Sequence, residues 1–129
     1  SRVIPSGESG TNWQGQKEAA SGVVIGMTQS VARGTAKHFW FILPPYTETT
    51  NDFGTFNSKN EPYAVYSAYA NYIYQVRKGE YKGKMNNLPD GSEGHIFNNG
   101  DHDVAVIWSD RENVFVPISD SAMKVVDLI

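Results

Sequence analysis

Cysteine is absent from the 129-residue sequence, which excludes disulfide scaffolds and zinc sites built on cysteine ligands. The sequence also lacks any run of lysine or arginine, and its formal net charge is -3, so neither a nucleic-acid interface nor an anionic membrane surface is expected. No apolar stretch approaches the roughly 20 residues that a membrane-spanning helix needs. Motifs typical of serine hydrolases, phosphate loops and dinucleotide sites are missing. What remains, with 40% hydrophobic and 19% charged residues, is typical of a globular domain.

An apolar run covers residues 39–43, within the segment 35–46, and stops at Pro44-Pro45. Because every position in it is apolar, the run predicts a strand buried on both faces, as in a parallel sheet. Patterns of helical period flank it, and the order helix, buried strand, long loop, helix is typical of an α/β sheet or barrel. Ligands bind at the C-terminal ends of such strands, where this chain carries Trp40, Tyr46 and a polar loop.

Two helices are predicted around this strand. The first covers residues 14–33 and is closed by Gly34, which suits a helix C-cap. Its apolar stripe, which repeats with helical period, consists of Ala20, Val24, Met27 and Val31. The second helix follows the loop at residues 44–60, with Asn60 as its N-cap and Glu61 in its first turn, and it ends at Gly79. A short strand is also predicted at residues 2–4.

The character of the chain changes after Gly79, where short β-like runs alternate with turns. Strands are predicted at residues 80–85, 95–97, 104–109, 113–118 and 124–129. Pro89-Asp90-Gly91 and Asn98-Asn99-Gly100 are the turn signals between the first three. This spacing predicts an antiparallel β-sandwich. The expected fold class is therefore α/β for residues 1–79 followed by all-β for residues 80–129.

Several motifs occur in an order that carries a family resemblance. They are Gly7-Glu8-Ser9-Gly10, the helix at 14–33, His38-Phe39-Trp40-Phe41, the stretch from Phe53-Gly54-Thr55-Phe56 to Glu61-Pro62-Tyr63, and residues 103–110 with Trp108. Together they resemble the C-terminal end of a retaining glycoside hydrolase of the large (β/α)8-barrel clan. In that family these elements are the end of strand seven, helix seven, strand eight, the approach to helix eight and a strand of an appended β-sandwich.

The resemblance implies that residues 1–79 are the last βαβα portion of an incomplete TIM-type barrel, and that residues 80–129 are strands of the sandwich. A complete barrel takes about 250 residues, so its remainder is expected in an upstream segment or in another chain. The implied activity is hydrolysis of a poly- or oligosaccharide without a cofactor or metal. A secreted or extracellular protein is implied as well.

Retaining glycosidases use two carboxylic groups about 5–5.5 Å apart, one as nucleophile and one as acid/base. By the resemblance, Glu8 is the nucleophile; read from its glycine neighbours alone, it is a solvated loop residue. Asn60-Glu61-Pro62 matches the acid/base motif of the clan, but it opens a helix, so we interpret Glu61 as a capping residue and place the acid/base outside this chain. Trp40 either stacks on a sugar or belongs to the core. Tyr46 and Glu48, on the following loop, are either candidate ligands of sugar hydroxyls or ordinary loop residues.

The remaining polar and aromatic candidates have structural interpretations. His38 is expected to be a core histidine and Trp108 a core residue of the sandwich. The set His95, Asp101, His102 and Asp103 matches neither a zinc nor a calcium signature and is expected to form a polar hairpin tip. Two other functions stay open: a non-catalytic carbohydrate-binding or accessory domain centred on the β-rich half, and an interaction module that docks a partner through an apolar helix surface.

Overall fold

A computed structural model describes residues 7–8, 13–49, 51–76, 78–116 and 124–127, with the backbone alone at residues 7, 8 and 51. The elements within these ranges are β1 Gly7–Glu8, α1 Trp13–Ala32, β2 Thr47–Glu48, β3 Asn51–Asp52, α2 Ala64–Val76, β4 Glu80–Lys84, β5 Ser92–Asn98 and β6 Asp103–Ser109. They belong to two compact units, one that runs up to Tyr74 and one formed by Gln75–Asp127. No helix among the described residues is long and apolar enough to cross a bilayer.

Helix α1 confirms the first predicted helix within one residue at each end. Its buried face consists of Ala19, Ala20, Val23, Val24 and Thr28. Two residues of the predicted apolar stripe, Ala20 and Val24, are buried, whereas Val31 is 37% exposed. The helix ends as predicted at Gly34, which has a φ of 76°. Its amide donates to the Val31 carbonyl at 2.9 Å, and the next amide, of Thr35, donates to Ser30 at 3.0 Å, the pattern of a Schellman cap.

The predicted strand at residues 39–43 is wrong for this structure, because that segment is irregular and lies at the surface. Phe39 is 84% exposed, and Phe41 and Leu43 are about half exposed. A strand buried on both faces needs parallel neighbours on both sides, and every strand pairing among the described residues is antiparallel. Near the end of the segment, the Thr55 hydroxyl donates to the Leu43 carbonyl at 2.8 Å, and the Thr55 amide lies 3.1 Å from the carbonyl oxygens of Ile42 and Leu43. Its place as the last strand of a complete barrel stays a prediction.

The loop at residues 44–60 contains β2, β3 and the start of a tight hairpin. In this hairpin Phe56 pairs with Pro62, and the Tyr63 amide donates to the Thr55 carbonyl at 2.9 Å. Asn60 lies in the hairpin turn with a φ of 63°, so the prediction that it caps α2 is wrong. Because of this hairpin, α2 begins at Ala64, four residues after Asn60. The Ala64 amide donates to the Gln16 side chain at 3.0 Å, which satisfies one of the free donors at the helix start.

The second unit contains a three-stranded antiparallel sheet in the order β4-β5-β6, which confirms the first three predicted strands. The register of β4 and β5 shifts at a bulge between Tyr81 and Gly83, and Gly83 has a φ of 135°. Gly100, with a φ of 100°, occupies the turn between β5 and β6. The last two predicted strands are wrong in their described parts, residues 113–116 and 124–127, which have no strand pairing. The rest of those strands, and the strand predicted at residues 2–4, lie outside the described residues, and the sandwich stays a prediction.

Candidate functional site

The first unit brings the predicted nucleophile and a predicted sugar ligand into one small sheet with the order β1-β3-β2. In this sheet Glu8 of β1 is opposite Asn51 of β3, and Asn51 is in turn opposite Glu48 of β2. Glu8 and Glu48 therefore occupy one row across the sheet, with backbones separated by two strand spacings, roughly 10 Å. The Glu48 side chain is exposed. Glu8 is described by its backbone alone, and its side chain lies outside the described atoms.

Tyr46 immediately precedes β2 and is 40% exposed. Its ring meets that of Phe41 edge to face at 5.5 Å and that of Phe53 at 6.3 Å. The Phe53 amide donates to the Tyr46 carbonyl at 2.8 Å, which extends the pairing of β2 and β3 by one residue. A tyrosine held on two sides with its remaining surface open can stack on the apolar face of a sugar. Its position therefore suits the predicted role as a ligand.

Trp40 is half-buried, and its indole Nε1 is buried with no hydrogen-bond partner among the described residues. An unsatisfied buried donor of this kind costs about 1–3 kcal/mol. Among the described residues Trp40 makes no ring contact with Tyr46, so the structure does not join these two candidates directly. Both interpretations of Trp40, as sugar platform and as core residue, stay predictions.

Asp52 is a residue of this region that the sequence patterns did not indicate. One of its carboxylate oxygens accepts a hydrogen bond from the Thr47 hydroxyl at 2.5 Å, and the other accepts from the Tyr63 hydroxyl at 2.5 Å. Tyr63 is only 3% exposed. Burial is the main cause that raises the pKa of Tyr63 far above its ordinary value, and the bond to Asp52 and its charge add to this. Since both carboxylate oxygens are engaged, Asp52 suits a role in fixing its neighbours rather than in proton transfer.

The interpretation of Glu61 as a capping residue is wrong. Its carboxylate accepts a hydrogen bond from the Asn57 side-chain amide at 2.6 Å, and its own amide donates to the Asn57 side-chain oxygen at 2.9 Å. These bonds stabilise the hairpin turn before α2. Glu61 is exposed and does not follow a buried strand, so nothing in its surroundings resembles an acid/base site.

The expectation of a core histidine at position 38 is also wrong, because His38 is exposed. It lies on the irregular segment that was predicted to be a buried strand. Because that strand does not form, His38 is not enclosed by a core. Its Nδ1 shares a hydrogen bond of 2.8 Å with the Ser30 hydroxyl of α1. The pair lies at the surface.

The second unit contains a buried polar network around His95, which is 1% exposed. Its Nε2 lies 2.8 Å from a carboxylate oxygen of Glu93, and its Nδ1 lies 3.0 Å from the Tyr81 hydroxyl. A carboxylate can only accept, so Nε2 carries a proton, and in the neutral ring Nδ1 accepts from Tyr81. The imidazole also stacks on Trp108. The hydrogen bond from His95 is the main cause that lowers the pKa of Glu93, and Lys84, 3.3 Å away, adds to it against partial burial.

This network corrects the prediction that His95 belongs to a polar hairpin tip. Strand β5 begins at Ser92, so His95 lies in its middle, opposite Val106. The tip consists of the exposed residues Asp101 and His102, as predicted, with Asp103 at the start of β6. No group of histidine, aspartate or glutamate residues in the described part of the chain has an arrangement that could hold a metal ion.

Comparison with known proteins gives no family for the chain: no family model, no curated protein and no solved structure matches it.

Proposed function

We propose that this chain is the C-terminal portion of a retaining glycoside hydrolase of the (β/α)8-barrel clan that acts on a poly- or oligosaccharide. The motif order in the sequence is the origin of the proposal. The observation that supports it best is the β1-β3-β2 sheet, which sets Glu8 in one row with Glu48 and places Tyr46 beside that row. The backbones of the predicted nucleophile and of the predicted sugar ligands Tyr46 and Glu48, far apart in the sequence, thus lie in or next to one small sheet.

In the proposed mechanism the Glu8 carboxylate attacks the anomeric carbon and the glycosidic bond breaks, which gives a covalent glycosyl-enzyme. The acid/base, outside this chain, protonates the leaving oxygen and then activates the water that releases the sugar. Tyr46 contributes a ring face, Glu48 accepts from sugar hydroxyls, and the indole ring of Trp40 is the platform on which a sugar stacks. The exposed apolar segment at residues 39–43 is the surface through which the missing barrel portion, upstream or in another chain, completes the fold.

The decisive experiment uses the chain joined to a complete set of upstream barrel strands. Hydrolysis of 2,4-dinitrophenyl β-glycosides is measured for the unchanged protein and for Glu8→Ala. We expect the substitution to lower kcat by a factor of roughly 10³ or more, because no glycosyl-enzyme can form. Azide should restore turnover by occupying the vacated space, and the glycosyl azide formed should have the inverted anomeric configuration. Full activity in Glu8→Ala would refute the role of Glu8.

The alternative, a non-catalytic carbohydrate-binding or accessory domain, has support in one surface feature of the β-rich half. Phe115 is 83% exposed, and an aromatic side chain left so open is a feature of many binding surfaces. Titration of the 129-residue chain with cellohexaose or xylohexaose separates the two functions. Binding that survives Glu8→Gln and is lost in Phe115→Ala would favour the accessory domain.

A further inference from the structure

We propose that Asp52 is a positioning residue that holds the sugar-binding strand of the site in place. By accepting hydrogen bonds from Thr47 and Tyr63 it fastens β2, with its neighbour Tyr46 and its own Glu48, to the start of α2. The inference rests on the proposed function and adds to it a residue that sets substrate affinity without touching the substrate.

The position of Asp52 in the sheet is the first reason. Strand β3 is the central strand of the site, and Asp52 is paired in register with Gly7 of β1 on one side and Thr47 of β2 on the other. The residue before it, Asn51, is paired with Glu8 and with Glu48 in the same way. Whatever fixes β3 therefore fixes both strands that carry the candidate site residues.

The weakness of the sheet is the second reason. Each of its three strands has only two residues, so the backbone ladder provides few hydrogen bonds. Strands this short are marginal without further support. Hydrogen bonds to a carboxylate are shorter and stronger than those between neutral groups. Asp52 accepts two of them, one from Thr47 within the sheet and one from Tyr63, which lies outside the sheet.

The fixed, buried position of Tyr63 is the third reason. Tyr63 is 3% exposed, and its amide is held by the Thr55 carbonyl at 2.9 Å, directly before the first residue of α2. Its hydroxyl therefore has a fixed position from which to hold Asp52. When this bond is removed, the β2–β3 pair loses its side-chain hydrogen bond to the residue before α2, and Tyr46 and Glu48 are placed less firmly.

The test compares Tyr63→Phe, which removes one hydroxyl, with Tyr66→Phe as a matched control. Tyr66 lies three residues further along, in the first turn of α2, is 39% exposed and packs its ring on Phe56. In the enzyme joined to its upstream barrel, with cellohexaose or xylohexaose as probe, we expect Tyr63→Phe to raise KM about tenfold and to change kcat by less than about twofold. Thr47→Val removes the other bond and should act in the same direction, and Tyr66→Phe should change neither constant.

A second readout does not depend on activity. In ¹H–¹⁵N spectra of the 129-residue chain, Tyr63→Phe should shift and broaden the amide signals of residues 46–48, whereas Tyr66→Phe should leave them unchanged. A lower melting temperature with unchanged KM and unchanged signals at 46–48 would show a merely structural bond and would overturn the inference, with the proposed function intact. If the unchanged enzyme hydrolyses no probe, the proposed function fails instead, and the spectra alone then decide whether Asp52 holds this strand.

Discussion

The imidazole of His95 lies nearly parallel to the indole of Trp108, with ring centroids 5.4 Å apart and 14° between the ring planes. The two residues belong to neighbouring strands, β5 and β6, and the ring nitrogens of His95 are bonded to Glu93 and to Tyr81 of β4. One buried side chain thus contacts all three strands of the sheet. We infer that His95 stabilises the second unit through this set of contacts.

Substitution of His95 should therefore weaken the second unit. In His95→Leu the Tyr81 hydroxyl and the Glu93 carboxylate lose their hydrogen bonds to the imidazole, and we expect the free energy of unfolding to fall by about 2–3 kcal/mol. The measurement is urea unfolding followed by circular dichroism. His102→Leu, at the exposed hairpin tip, is the control and should stay within about 0.5 kcal/mol. Equal stability of the two variants would contradict the inference.

Glu93 should make the second unit sensitive to acid. Its pKa in the folded chain is lowered from an ordinary value of 4.5, chiefly by the hydrogen bond from His95. A lowered folded pKa means that the carboxylate's contribution is complete above the ordinary pKa and is lost as the pH falls through the folded pKa. Glu93→Gln should therefore lose less stability than the unchanged chain between pH 6 and pH 3.

The acid effect is measured as the difference in urea midpoint between those two pH values. Glu112→Gln serves as control, because Glu112 is an exposed carboxylate in the same unit. It should reproduce the pH dependence of the unchanged chain. If Glu93→Gln shows the same loss as this control, the Glu93–His95 bond does not contribute to acid sensitivity.

Gly54 should tolerate no side chain. A Cβ there would collide with the Pro44 carbonyl oxygen and would lie 2.9 Å from the Pro45 Cα, both backbone atoms. We expect Gly54→Ala to destabilise the first unit by about 1–3 kcal/mol, because the segment before β2 must move away from the hairpin. Thermal unfolding measures the change.

The matched control for this prediction is Gly26→Ala. Gly26 lies within α1, and the nearest atom to a Cβ there is His38 Cε1 at 3.9 Å. Alanine has the higher helix propensity, so this variant should gain up to about 1 kcal/mol. A stable Gly54→Ala variant would show that residues 44 and 45 do not pack against the hairpin as described.

The 129-residue chain by itself is expected to have no glycosidase activity, because the proposed acid/base lies outside it and a retaining mechanism needs both carboxylic groups. Turnover is assayed with aryl β-glycosides at high protein concentration, with Glu8→Gln as the paired variant. Measurable turnover of the unchanged chain that disappears in Glu8→Gln would show that the acid/base is present after all.

The elements that the sequence predicted well depend on local signals. Helix α1 follows from its apolar period and the Gly34 cap, and β4, β5 and β6 follow from short apolar runs between strong turn signals. Helix α2 was predicted too early, since Asn60-Glu61-Pro62 has the composition of a helix start but is used in a hairpin turn. The roles of the candidate site residues stay predictions: Glu8 and Glu48 occur in one sheet with Tyr46 next to it, and no sequence pattern indicated Asp52.

The sequence by itself determined where the chain turns and which stretches adopt a helical or extended backbone, because those choices depend on residues within one or two turns of each other. Tertiary structure alone decided that residues 39–43 lie at the surface without parallel neighbours among the described residues, that Asp52 meets Tyr63, and that His95 is buried against Trp108. Each of these depends on groups that are distant in sequence or on the strands available for pairing, and no local pattern specifies which distant group supplies a hydrogen bond or covers an apolar face.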